Sequence, residues 1–288
     1  MIPILLYSHS NEPLTKALIS STLDQKCGLI KLSVEELLHE TCIIDELNND
    51  KVKISWTLPS GNEILNSNDF YLINRVLSIP EDIFNSFSEE DRLYSISEFR
   101  AYLAFAIQAF PVSFSRPGAF GLSGNRFSLV RQWEMIKGED FVFKTPKYYL
   151  GNMDFCPLEE DLVYTNPFDF YYWRPNQNVV DVDRASFVFS KPKGKPVVAC
   201  IIGEDVNIFC YYARDEISSK TESYLKEQSL LILNLFNYAI AEILFFIEGD
   251  DFTFGMISNI PYASNKKNWF HEKTCIYFEE ELRKYGKS

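Results

Sequence analysis

The sequence predicts a mixed α/β protein in two parts: an N-terminal region on a parallel sheet and, beyond about residue 120, an antiparallel sheet flanked by helices. Three observations carry this expectation. The chain's opening residues alternate strand-like and helix-like patterns, the order that gives parallel pairing. After Lys51, and again after Ser186, polar–apolar alternation around Gly- and Pro-containing turns gives hairpins. Long helical patterns follow in both parts.

Ile2 to Tyr7 is a short apolar run suited to a buried first strand. Asn11 to Leu23 carries Leu14, Leu18 and Ile19 at helical spacing. Leu29 to Leu32 suits a second strand. Ser33 then caps a helix over Val34 to Leu38, with Glu36 placed for a capping box. Lys51 to Leu58 alternates, and Pro59-Ser-Gly-Asn turns it into a hairpin. Phe70 to Ile79 is a further strand, ending in Asn74-Arg75 and closed by Pro80. Glu89 to Phe110 is the clearest helix, with Tyr94, Phe99, Leu103 and Ile107 assigned to one face and Pro111 as its stop. Ser113 to Lys147 reads as strand, glycine loop, helix and Pro146. Leu150 to Asn178 is aromatic and proline-punctuated, a linker or lid. Ser186 to Tyr212 reads as a hairpin about Lys191-Pro-Lys-Gly-Lys-Pro. Lys220 to Ala239 is an amphipathic helix, Ile240 to Ile257 a hairpin about Glu248-Gly-Asp-Asp, and Trp269 to Tyr285 a closing helix.

Composition narrows the function classes. A chain of 288 residues with 46% hydrophobic residues buries a substantial core. Its 24 Phe and 16 Tyr predict large packed faces. A net charge of −12 argues against a protein that coats nucleic acid, because counterion release needs clustered Lys and Arg. No apolar run is long enough to span a bilayer, and the start lacks a basic leader, so a cytoplasmic protein is expected. Cys27, Cys42, Cys156, Cys200, Cys210 and Cys275 form no CxxC pair, and buried reduced thiols are expected.

Few motifs carry chemistry on their own. His9, His39 and His271 are scattered; His39 and Cys42 have ligand spacing, but two ligands do not make a zinc site. The acidic runs at Glu89, Glu159 and Glu279 read as solvated turns or helix ends. Gly118-Ala-Phe-Gly-Leu-Ser-Gly124 lies between a strand and a helix, where amides cradle phosphate, yet it lacks the order of either phosphate fingerprint and reads first as a turn. Lys191, Lys193 and Lys195 read as a solvated hairpin tip or as a clamp for phosphate or an acidic peptide.

Taken in order, these pieces resemble the ATP-grasp superfamily, and are similar to ribosomal-protein glutamate ligases and microviridin-type peptide ligases. Asn74-Arg75-Val-Leu-Ser-Ile-Pro and the helix Tyr94-Ser-Ile-Ser-Glu-Phe-Arg-Ala-Tyr-Leu resemble the pre-ATP-grasp domain. Asn125-Arg126, Gly138 and Thr145-Pro146 resemble the entry to the ATP-grasp core. Val197 to Gly203 resembles the strand ending in Val-Val-Gly. Ala241 to Phe246 and Gly255 to Pro261 resemble the last two strands, which carry Glu-x-Asn-x-x-Pro. The resemblance implies a Rossmann-like pre-ATP-grasp domain over residues 1–120 and a reduced ATP-grasp-like antiparallel sheet with helices over 121–288, its small lobe shortened between Pro146 and Val197.

The same resemblance locates departures. Counting back from Pro261, the signature Asn falls on Ser258 and the Glu on Met256. Counting back from Gly203, the phosphate-binding Arg falls on Val198. Glu242 alone keeps the place of the first acidic metal ligand, and a thioether is a poor substitute for the hard oxygens that Mg²⁺ takes. Two functions therefore stand open. One is an active ligase joining a carboxylate to an amine through an acyl phosphate, with ATP and Mg²⁺ as cofactors. The other, favoured by the lost ligands, is a non-catalytic or altered member, needing no cofactor, that binds a peptide or protein partner in a peptide-modification pathway. The residues expected to matter are Lys144, Lys191, Lys193 and Lys195 for nucleotide, Glu242 for metal, and Arg75, Glu98, Arg100 and Trp173 for a peptide or partner groove. Neither nucleic acid nor membrane is expected as a partner; a homodimer stays open.

Overall fold

The computed structural model describes residues 1–48, 51–139, 141–152, 155–157, 162–163, 187–211, 216–261 and 268–285. Trp173, with most of the aromatic stretch from Leu150 to Asn178, lies outside them. The chain divides into two compact units, Met1–Arg126 with Asn265–Ser288, and Phe127–Ser264. The division differs from the one expected at residue 120 chiefly because the closing helix groups with the first unit.

In the first unit, β1 (Ile2–Tyr7) lies between β2 (Ile30–Ser33) and β6 (Phe70–Arg75), both parallel to it, and β7 (Ser113–Phe114) extends the far edge in parallel. β1 and β6 are apolar throughout their centres because a sheet covered on both faces has no wet side. The helical stretch after β1 is two short pieces, α1 (Pro13–Ile19) and α2 (Leu23–Cys27), separated at Ser20–Thr22. Ser33 and Glu36 form the expected capping box at the start of α3 (Val34–His39), with bonds of 3.1 and 2.8 Å.

A second sheet in this unit orders β3 (Cys42–Leu47), β4 (Val52–Thr57) and β5 (Glu63–Leu65), all antiparallel. The sequence reading missed β3, whose burial alternates only weakly before it ends on exposed Glu46 and Leu47. α4 (Glu89–Ala109) packs on β4, where the Trp56 indole N–H donates to the Tyr102 hydroxyl at 2.7 Å. Phe99, Leu103 and Ile107 are buried as expected, but Tyr94 is 68% exposed. At 100° per residue Tyr94 falls more than a third of a turn from those three, so its assignment to their face was an error of phase. The closing helix α7 (Asn268–Tyr285) lies along α1, with Phe278 edge-on to Phe114 at 5.1 Å.

The second unit is built on a four-stranded antiparallel sheet, ordered β12 (Asp205–Cys210), β11 (Lys195–Ile202), β13 (Ile240–Glu248) and β14 (Asp251–Ser258). β10 (Phe187–Ser190) pairs instead with β8 (Tyr148–Leu150) and β9 (Leu162–Val163) in a separate small sheet. The expected hairpin about the lysine turn is therefore corrected: β11 takes its hairpin partner from β12, through Gly203-Glu204. α5 (Leu129–Gly138) packs on β14, and α6 (Ser219–Phe236) on β11 and β12. Phe236 stacks on Phe254 at 6.4 Å, inside a core that also holds Trp133, Phe143 and Phe245. Cys200 is buried and Cys42 exposed, against the expectation of buried thiols throughout.

Candidate functional site

Strand register decides which side chains of the large sheet share a face. Val198 is paired with Leu244, and Leu244 with Met256. Two residues along, Cys200 is paired with Glu242, and Glu242 with Ser258. Directly opposed residues project to the same side of a sheet, and so do residues two apart on a strand. Val198, Glu242, Met256 and Ser258, singled out from scattered parts of the sequence, thus form two adjacent rows on one face. Gly255 is the extra residue between those paired with Leu244 and Phe245, and this bulge keeps Met256 and Ser258 on the Glu242 side.

The bulge is held from outside the sheet. β14 is an edge strand, and its outer polar groups need partners. The Trp133 indole N–H donates to the Gly255 carbonyl at 2.7 Å, and the Gln132 carbonyl oxygen accepts from the Ile257 amide at 2.9 Å. Both side chains come from one turn of α5. Further along, the Lys144 amide donates to the Phe252 carbonyl at 2.9 Å, and the Phe254 amide to the Lys144 carbonyl at 2.8 Å.

The chemistry of the four positions is sparse. Glu242 is fully buried, as are Val198 and Leu244. The Ser258 hydroxyl turns back on its own chain, donating to the Ile260 carbonyl at 3.2 Å and accepting from its amide at 3.1 Å. Met256 offers a thioether and Val198 no polar atom. A magnesium site asks for several hard oxygen ligands, and these positions hold one carboxylate with a hydroxyl already engaged. The donor set does not fit the magnesium that the family resemblance implies. Among the described residues no group of three or more His, Cys, Asp and Glu gathers to hold a metal ion.

The four candidate lysines lie at the other end of the same sheet. Lys195 opens β11 opposite Ile247, and Lys144 bridges to Thr253 beyond β14. Lys193 and Lys195 are exposed and Lys191 half-buried. Gly194 packs against the backbone of Ile247 and Glu248, which sets the lysine turn beside the acidic turn Glu248–Asp251. Lys144 is ion-paired to Asp251 at 2.7 Å, both side chains largely exposed. Glu242 stands five residues from Ile247, about 17 Å at the rise of an antiparallel strand. The lysines and Glu242 are therefore separate clusters on one sheet.

The first unit places the remaining candidates differently from one another. Arg75 ends β6 with no exposed surface and pairs with Glu12 at 2.7 Å. Glu12 also accepts from the Thr15 amide and hydroxyl, each at 2.7 Å, and so caps α1. Burial pushes the Glu12 carboxyl up, but the charge and hydrogen bonds of Arg75 and Thr15 outweigh it and hold the group below its ordinary value. Glu12 was not foreseen; its signal was an acidic residue just before Pro13 at a helix start. Glu98 and Arg100 are exposed on α4. In the glycine loop, the Gly118 amide donates to Gly121 and the Phe120 amide to Asn125, while Asn74 donates to the Ser115 and Leu122 carbonyls at 2.6 Å each. Those amides close a turn and are not turned toward a phosphate.

No family model and no curated protein matches the sequence. Solved structures do match along nearly the whole chain. One is a RiPP-associated ATP-grasp ligase from Chryseobacterium gregarium, in complex with ADP and a leader and core peptide: 15% identity, 97% of each chain covered, TM-score 0.64. Another is the macrocyclase MdnC from Microcystis aeruginosa MRC, bound with precursor peptide MdnA: 11% identity, 96% of this chain and 98% of that one, TM-score 0.65. A third is the D-alanine–D-alanine ligase from Bacillus anthracis, complexed with ATP: 12% identity, 100% and 99% covered, TM-score 0.55. The chain has the fold of the ATP-grasp ligases.

Proposed function

We propose that this ATP-grasp-fold chain binds a peptide or partner protein in a peptide-modification pathway and does not carry out magnesium-dependent ligation. The observation that carries the reading is the face shared by Val198, Glu242, Met256 and Ser258. Phosphoryl transfer in a ligase of this fold needs metal ions and cations to neutralise the triphosphate, and these residues supply one carboxylate. The core around the face is intact, so the scaffold persists where the chemistry is missing. Fold does not fix activity, and the binding role draws its support from the peptide complexes of two structural relatives. The parallel β2-β1-β6-β7 sheet supports a Rossmann-like pre-ATP-grasp domain as the N-terminal part.

Incubation of the purified chain with MgATP and carboxylate- and amine-bearing peptides, read by mass spectrometry, tests the reading. The expected result is peptide of unchanged mass and no ADP. A peptide that has lost water, with ADP formed in step, overturns it and restores the active ligase.

A further inference from the structure

The outer face of α4 is unusual for a helix packed on a sheet. Phe99, Leu103, Ala106 and Ile107 point into the core, yet Leu93 and Tyr94 on the other side are 77% and 68% exposed, and Phe105 is exposed too. At 100° per residue Glu90, Tyr94, Ser97, Ala101, Phe105 and Gln108 form one continuous strip, and every one of them is exposed. Asn66 donates to the Val52 carbonyl at 3.0 Å and to the Ala109 carbonyl at 3.3 Å, tying the end of β4 to the end of α4. Leu47, paired with Val52, is exposed as Val52 is, and along α4 itself Tyr94, Ala101 and Phe105 stand as the apolar side chains of the strip, between polar ones.

Charge selects the occupant. Glu90, Asp91 and Glu98 lie along the strip or its near edge, with Arg100 on the opposite edge. A second copy would set this acidic strip against its own image in a twofold pair, on chains that each carry a net charge of −12. A cationic partner meets the opposite field and gains in both encounter and docking. We propose that this face docks an amphipathic helical peptide with apolar residues on one side and Lys or Arg flanking them, laid along α4 with its apolar side on Tyr94, Ala101 and Phe105. The inference rests on the peptide-binding reading above and locates the partner's surface.

The probe is a fluorescent Leu/Lys peptide with leucines at helical spacing, compared with an isomer of the same composition in strict alternation. Anisotropy titrations use the full chain, Tyr94→Ser/Phe105→Ser, and Glu98→Lys, all changed at exposed positions. The helical-spaced peptide is expected to bind the parent chain, and each variant to weaken it about tenfold. Equal binding of the two isomers overturns the inference, since bulk charge alone would then explain it. Peptide binding unaffected by the variants overturns this surface but leaves peptide binding standing. Absence of binding to either isomer counts against both. A concentration-dependent dimer abolished by Tyr94→Ser/Phe105→Ser assigns the face to a second copy and overturns the inference.

Discussion

Glu242 and Ser258 stand opposite each other across β13 and β14, and the residue two before Ser258 on the same face is Met256. One buried carboxylate thus faces two positions whose side chains are the wrong type for magnesium. In that register Met256→Glu with Ser258→Asn supplies the missing oxygens. The double variant is expected to gain Mg²⁺ or Mn²⁺ binding by calorimetry, and each single variant to gain less. A double variant that folds and binds no more metal than the parent would show that the face does not aim its side chains at one point.

Arg75 and Glu12 are a buried pair whose partners depend on each other. Removing one leaves an uncompensated charge, so Arg75→Ala or Glu12→Gln is expected to cost about 3–5 kcal/mol in urea unfolding. Joint replacement by Met and Leu is expected to cost less than either single change. The Glu12 carboxyl is held below its ordinary value, so its contribution is fully present above that value and is lost as pH falls through the lower folded one. The parent chain should therefore lose stability below about pH 4.5 more steeply than Glu12→Gln. Parallel acid profiles would remove the pair from the account.

Trp133 and Gln132 hold the outer edge of β14. Trp133→Phe removes the N–H to Gly255, leaving a buried carbonyl unpaired at about 1–3 kcal/mol, and adds the cost of the void left by the smaller ring. Gln132→Leu acts in the same way on the Ile257 amide. Amide exchange of Ile257 is expected to speed up in Gln132→Leu and to stay slow in Trp133→Phe.

Two glycines separate backbone strain from steric conflict. Gly249 has φ +62° with nothing near a new Cβ, so Gly249→Ala is expected to cost about 1–2 kcal/mol from conformation alone. Gly194 has φ +97°, and its Cβ would collide with the Ile247 carbonyl. Gly194→Ala is expected to cost clearly more and to disturb the lysine turn. Equal melting temperatures for the two variants would contradict the close packing of that turn on β13.

Much of this fold was legible because local signals and tertiary demands agreed. The run Ile2–Tyr7 was read residue for residue, since a strand buried on both faces has no competing pattern. The Ser33–Glu36 box fixed a helix start from four residues. β10 was misassigned because adjacency in sequence favours hairpins, and nothing local reports that Phe187–Ser190 joins another sheet. The four positions Val198, Glu242, Met256 and Ser258 came from counting along the family resemblance; that they share one face follows from the register of β11, β13 and β14. Pairing across the sheet was not legible, and neither was the partnership of Glu12 with Arg75, because both depend on contacts between distant segments.

Calorimetric titration of the chain with MgATP, repeated with excess chelator, tests the central claim most directly. The predicted result is weak binding that the chelator does not change, or none, because Glu242 is the one carboxylate among Val198, Glu242, Met256 and Ser258 and the exposed lysines bind phosphate as point charges. Tight binding abolished by the chelator would contradict it, showing a working metal site and placing the chain among active ligases.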